Sequence, residues 1–282
     1  MKKSLSFLIC TIGVVFSIYG QSLEAGFFLG AANYQGDLHP SNFVFGETKV
    51  AYGGFVRYPI KEYLYLKASI TKGAISGSDA NSTEESGRKN RNLNFRSDIL
   101  DFGIQAEFHL FPLIFGEQKF ISPYFVTGIN GFTFNPEGFY IDRYYDLAPL
   151  GTEGQYLEGS GVSPYKKFQL SIPMGLGLDF RISDYNTIGL EFSMRKTFTD
   201  HLDDVSGSYP DLEALSATNP LAATLSFREV DVNGESSSRD RSGTQRGIAE
   251  NKDWYYFVGL NFGFNLNNIL SLGDGPGNYS AF

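Results

Sequence analysis

The feature that most constrains this chain is a strict alternation of side chains, carried on segments long enough to cross a lipid bilayer. Phe168, Leu170, Ile172, Met174, Leu176, Leu178, Phe180 and Ile182 fall on one face of an extended segment. Gln169, Ser171, Pro173, Gly175, Gly177, Asp179 and Arg181 fall on the other. A strand turns successive residues to opposite faces, and about 9–11 tilted residues span a membrane. A barrel in lipid turns its apolar face outward and can keep polar or small residues inside.

The pattern recurs along the 282 residues, a length that suits one large domain or two small ones. Trp254, Tyr256, Val258, Leu260, Phe262, Phe264 and Leu266 alternate with Gly259, Asn261, Gly263 and Asn265. Leu100, Phe102, Ile104, Ala106, Phe108 and Leu110 oppose Asp101, Gly103, Gln105, Glu107 and His109. Ile188, Leu190, Phe192 and Met194 oppose Gly189, Glu191, Ser193 and Arg195. Weaker segments start near Leu23, Tyr52 and Leu64. Pro123 to Phe134 is apolar on both faces, and its sides cannot be assigned from pattern. The total is eight strands.

The connections alternate too. Those near 59–62, 112–119 and 183–185 are short; those near 35–47, 72–96, 135–166 and 198–252 are long and mostly polar. Outer-membrane barrels have short periplasmic turns and long external loops. The expected fold is therefore all-β: an eight-stranded antiparallel transmembrane up-and-down β-barrel in a bacterial outer membrane, with both chain ends periplasmic. A soluble lipocalin-like barrel or sandwich is the competing architecture.

The ends fit this organisation. Lys2 and Lys3, an apolar run from Leu5 to Tyr19 and then Gly20 read as an export signal, residues 1–20. The barrel follows over 21–266, and 267–282 is a Gly-rich polar tail expected in the periplasm. Cys10 lies inside the signal, so a cleaved chain holds no thiol and no disulfide. Removal of Lys2 and Lys3 makes the net charge of −8 more negative, which argues against nucleic acid as a partner.

An eight-stranded barrel is just wide enough for side chains to fill it. Glu24, Arg57, Lys67, Asp101, Glu107, Asp179, Arg181, Glu191 and Arg195 fall on the inward face. Both signs are present, so the expectation is a plug of paired charges rather than a pore. Chemistry is weakly indicated. His39, His109 and His201 show no metal-ligand spacing. His201 stands near Asp203 and Asp204, an arrangement that suits a loop turn better than a hydrolytic pair. Gly175 and Gly177 sit within a strand and do not open a helix, so they form no phosphate loop. No cofactor and no catalytic residue is expected.

The loops carry a resemblance. Asn33-Tyr34-Gln35-Gly36-Asp37-Leu38-His39-Pro40, Arg91-Asn92-Leu93-Asn94-Phe95-Arg96-Ser97, Phe134-Asn135-Pro136, Leu150-Gly151-Thr152-Glu153-Gly154-Gln155 and Thr199-Asp200-His201-Leu202-Asp203-Asp204-Val205-Ser206 occur in that order around the strands. Together with the Pro123-Tyr124 pair they resemble the PorG family of Bacteroidetes outer-membrane proteins, from about Leu23 to Phe264. His201 stands where that family usually has Tyr. The resemblance implies a non-enzymatic accessory barrel of the type IX secretion system. Such a barrel anchors or stabilises a periplasmic ring that contains a lipoprotein. The resemblance also brings a tension, because its motifs lie on long loops expected outside while the ring partner is periplasmic. Asp37, Arg91, Glu153, Asp200, Asp203 and Asp204 are the candidates either to knit the loops into a cap by charge-assisted hydrogen bonds or to contact a partner.

Overall fold

A computed structural model describes residues 23–39, 45–82, 87–116, 120–183, 185–233 and 241–266. The expected signal (1–20) and tail (267–282) lie outside them. Eight long strands form the wall: β1 (Glu24–Gln35), β2 (Lys49–Lys61), β3 (Leu64–Ser78), β4 (Asn94–His109), β5 (Ile121–Tyr140), β7 (Phe168–Arg181), β8 (Asn186–Thr197) and β9 (Trp254–Asn265). Each pairs antiparallel with the next, and β1 pairs with β9 from Glu24↔Asn265 to Gln35↔Trp254, which closes the ring. A short β6 (Arg143–Asp146) adds only a hairpin on the far end of β5.

The closed wall leaves no open edge, the arrangement that backbone polar groups require inside lipid. Its polarity is inside out. Leu29, Ile70, Ile104, Ile129, Leu176, Leu190 and Leu260 are exposed on the outer surface, while Arg57, Lys67, Asp101, Glu107 and Glu191 are buried inside. Glu107 and Asp101 have no exposed surface at all, whereas Ile104 between them is 59 % exposed. That inversion identifies a membrane-spanning barrel of the outer-membrane type. No helix among the described residues is long and apolar enough to cross a membrane.

The segment from Pro123 to Phe134, unassignable by pattern, belongs to β5. Tyr124, Val126, Asn130, Phe132 and Phe134 turn inward and Phe125 and Ile129 outward. β3 and β5 run to Ser78 and Tyr140, beyond the expected strand ends, because their pairing continues above the bilayer: Ser78 with Asn94, and Glu137 with Arg96 and Asp146. The connections at the opposite end are short. One of them contains a helix, α2 (Leu110–Phe115), which follows α1 (Arg88–Arg91) in chain order. The last long loop carries α3 (Leu212–Thr218), α4 (Pro220–Ser226) and α5 (Val230–Asn233).

Candidate functional site

Two polar assemblies occupy the barrel axis, one in the lumen and one above it. In the lumen, Arg57 of β2 stands between three carboxylates from other strands. Its Nε lies 2.8 Å from Glu107, and its Nη1 lies 2.9 Å from Asp179 and 3.2 Å from Glu24. Lys67 on β3 lies 2.6 Å from Glu191 and 3.2 Å from Glu107. Glu191 also accepts hydrogen bonds from Tyr124 Oη and Asn261 Nδ2, both at 2.9 Å. Tyr124 reaches that position because its cross-strand partner is Gly177. The ring lies where any β-carbon at Gly177 would project.

Farther along the axis, Arg195 Nε lies 3.4 Å from Asp101, which also accepts from Tyr255 Oη at 2.7 Å and Asn130 Nδ2 at 2.6 Å. Eight of the nine inward charges belong to these networks. Arg181 is the exception. It is exposed at the mouth, where it lines a cavity of about 50 Å³ with Glu24, Tyr65, His109 and Asp179. Paired charge fills only the half of the lumen nearer the short turns. The other half is apolar, packed by Phe28, Ile75, Phe95, Ile99, Phe132, Phe134 and Phe257. Inward Phe and Tyr residues on β5 and β9 supply much of this layer.

Above the apolar layer the long loops close into a cap. Arg91 makes a two-point contact with buried Asp79, at 2.7 and 2.8 Å, and donates to the backbone carbonyls of Arg246 (2.6 Å) and Asp37 (3.1 Å). The Asp37 carboxylate accepts the Ile248 amide at 3.0 and 3.1 Å. Arg246 donates to Glu153 at 2.9 Å and to the Asp204 carbonyl at 2.6 Å. Glu153 in turn accepts the Ser206 and Gly207 amides at 2.8 and 3.2 Å. Four loops are thereby tied through two guanidinium groups.

The aspartates after β8 bind differently. Asp203 accepts from Tyr34 Oη and, at 2.9 Å, from the Val205 amide. Asp204 adopts a left-handed backbone (φ 64°), a conformation that Asp tolerates better than most side chains. Its carboxylate accepts from Thr152 Oγ1 and, at 2.6 Å, from Tyr165 Oη. Asp253 accepts the Leu202 amide at 2.9 Å. Asp200 is buried, and neither of its oxygens has a well-formed hydrogen bond. The His201 ring stacks on Tyr165 with centroids 4.5 Å apart, while Asp203 and Asp204 turn to other partners. That geometry makes no hydrolytic pair. Among the described residues no group of acids and histidines forms a metal-binding cluster.

Residues 2–225 match the model of a protein family described as a domain of unknown function (DUF6089). The chain belongs to this family. No curated protein matches it. Several solved outer-membrane barrels are similar to it over most of their length. Neisserial surface protein A is 6 % identical, with a TM-score of 0.38, covering 88 % of this chain and 97 % of that one. Ail of Yersinia pestis, solved with the heparin analogue sucrose octasulfate, is 10 % identical, with a TM-score of 0.36 and 86 % and 97 % covered. OprG of Pseudomonas aeruginosa is 10 % identical, with a TM-score of 0.35 and 87 % and 95 % covered.

In this DUF6089 member the cap is an unusual electrostatic environment. Burial raises the pKa of Asp200 to about 7 and of Asp204 to about 6. Burial, followed by the charge of Asp37, holds Asp203 well above the usual carboxylate range. Burial and then the charge of Asp203 do the same to Asp253. Asp37 is also raised by burial. Burial lowers His201 and His39. Arg91 is held charged by Asp79 despite its burial.

The structure brings all six candidate loop residues into the cap and adds partners that the sequence reading did not single out: Asp79, Arg246, Asp253, Tyr34 and Tyr165. Asp253 carried a usable signal, since it is the acid immediately before an alternating strand. Arg246 carried none. Its role depends on where a distant loop comes to rest. Beside Arg91 and Arg246, an open cavity of about 390 Å³ lies among Arg88, Arg241, Tyr209 and Glu229.

Proposed function

We propose that this barrel is a non-enzymatic accessory component of a type IX protein secretion system, anchoring or stabilising a periplasmic ring that contains a lipoprotein. The observation that carries this reading is the convergence of the ordered loop motifs. Asp37, Arg91, Glu153, Asp203 and Asp204 come from four motifs spread along the chain, yet all bind within one cap. That convergence supports the resemblance on which the reading rests. The lumen filled by side chains fits an anchoring part. Deleting the gene and measuring export of proteins with C-terminal sorting domains tests the reading. Export should fall and return on complementation; unchanged export overturns it.

A second reading is a surface-binding barrel without a secretion role. It draws on the arginine-lined cavity beside the cap. On this reading, substitutions at Arg88 and Arg241 alter surface binding while export stays intact.

A further inference from the structure

The connection between β4 and β5 differs in kind from the other inner turns. Its helix α2 reads Leu-Phe-Pro-Leu-Ile-Phe and carries no charge. Leu110, Leu113 and Ile114 stand at i, i+3 and i+4, on one face of the helix. Pro112 is buried against the barrel and Phe111 half-buried, and the helix packs on β5. The outward face is strongly exposed, with Leu113 at 53 %, Ile114 at 65 % and Phe115 at 56 %. At the same end of the barrel Phe120 and Ile121, where β5 begins, and Ile182, just after β7, are exposed as well. Phe120 also meets Phe180 edge-on, with centroids 6.3 Å apart. The β2–β3 turn, by contrast, presents Lys61 and Glu62. Large apolar side chains exposed together along one face of a helix need a cover.

The depth of α2 indicates which cover. The lipid face of β4 runs from Leu100 through Phe102, Ile104 and Phe108 to Leu110. Ten residues at ~3.3 Å each, tilted by ~40°, rise ~25 Å, the height of the apolar band of an outer-membrane barrel. Leu110 therefore sits at the inner end of the band, and α2 starts where the hydrocarbon ends. It is too short to span a bilayer and continues the lipid-facing surface without a polar break.

We propose that α2 is an interfacial foot. It lies on the inner leaflet, with Leu113, Ile114 and Phe115 seated among the upper acyl chains, so that lipid covers the patch. The foot occupies one sector of the rim and ties that side of the barrel to the leaflet.

Trp254 is the single tryptophan of the chain, so Trp254→Phe gives a silent background. Ile114→Trp and, as the control, Lys61→Trp are each placed in it and reconstituted in phosphatidylcholine vesicles with or without brominated acyl chains. Heat-dependent gel mobility confirms folding, and Leu113→Trp replaces Ile114→Trp if that variant does not fold. The foot predicts blue-shifted emission and at least about twofold stronger quenching at position 114 than at 61. Equal quenching and equal emission overturn it. Weak quenching in vesicles together with photocrosslinking from position 114 to a protein in intact outer membrane also overturns it and makes the patch a protein-docking face.

Discussion

The lumen and the cap both bury many carboxylates, yet they stabilise them by different means. In the lumen each buried acid faces a cation: Glu107 and Asp179 face Arg57, Glu191 faces Lys67, and Asp101 faces Arg195. In the cap Asp79 and Glu153 each have an arginine within ion-pair distance. Asp203, Asp204 and Asp253 rely on tyrosine and threonine hydroxyls and backbone amides. The reason lies in the backbone. Strand register sets opposite charges on facing walls of a rigid tube. Loops instead bring together whatever their turns leave pointing inward, and a left-handed Asp204 presents an acid that no strand would. Protonating a carboxylate that faces a fixed cation leaves that cation buried and unmatched. A carboxylate matched by neutral donors can take up a proton.

The contrast is broken most directly at Arg57. Arg57→Met leaves Glu24, Glu107 and Asp179 facing one another without the guanidinium. Removing one partner of a buried ion pair costs about 3–5 kcal/mol. We expect a large drop in the urea midpoint of the folded barrel in lipid, read by heat-dependent gel mobility. Adding Glu107→Gln should recover part of the loss, because the excess charge is the cause. A midpoint that does not move would mean that Arg57 is a spectator.

Arg246 is the corresponding residue of the cap, and its loss should act locally. Arg246→Met leaves Glu153 buried without its cation and frees the Asp204 carbonyl. The intrinsic penalty is again about 3 kcal/mol, but loop opening limits what the whole molecule loses. Hydrogen exchange at the Ser206 and Gly207 amides, both held by Glu153, should accelerate, with the barrel midpoint nearly unchanged. A fall in the midpoint as large as that of Arg57→Met would show that cap and barrel unfold as one unit, and the distinction between them would fail.

These differences also explain what could be read from the sequence. The eight strands were legible because a lipid-facing wall enforces a period of two, and Gly, Asn and charged residues mark its inner side. The sides became unassignable where the inner face turned aromatic, as at Phe132 and Phe134. Apolar residues on both faces look the same whether they meet lipid or the lumen. The helices of the last loop had local signals. Asp211 accepts the Ala214 amide at the start of α3, and Asn219 followed by Pro220 opens α4. A period of two, the signal of the strands, does not register them. The acids of the cap were visible as motifs. Their partners were not, because Tyr34, Asp79 and Arg246 come from positions far apart in the chain.

The smallest expected effect is also the most diagnostic, because the cap should respond to pH in the direction opposite to ordinary acid loosening. A carboxyl with a raised native pKa binds its proton more tightly folded than unfolded. Its contribution is complete below the unfolded value and is lost as pH rises through the native one. Asp200, raised to about 7, and Asp203 and Asp253, held well above the usual carboxylate range, therefore favour the closed cap as pH falls from 8 toward 6.5. Below about 6.5 the buried His39 and His201 oppose them. Their pKa values are lowered, so each loses stability as pH falls through its unfolded value. The window from 8 to 6.5 isolates the acids. Protection of the Leu202 and Val205 amides, which Asp253 and Asp203 hold, should increase across it after correction for intrinsic exchange. Asp203→Asn with Asp253→Asn should flatten the trend, since an amide occupies the same place without titrating. Lumen amides serve as the reference, since the carboxylates there are paired with cations across the barrel. Equal protection of the cap at both pH values would mean that its acids are matched as firmly as those of the lumen, which would erase the difference between the two regions.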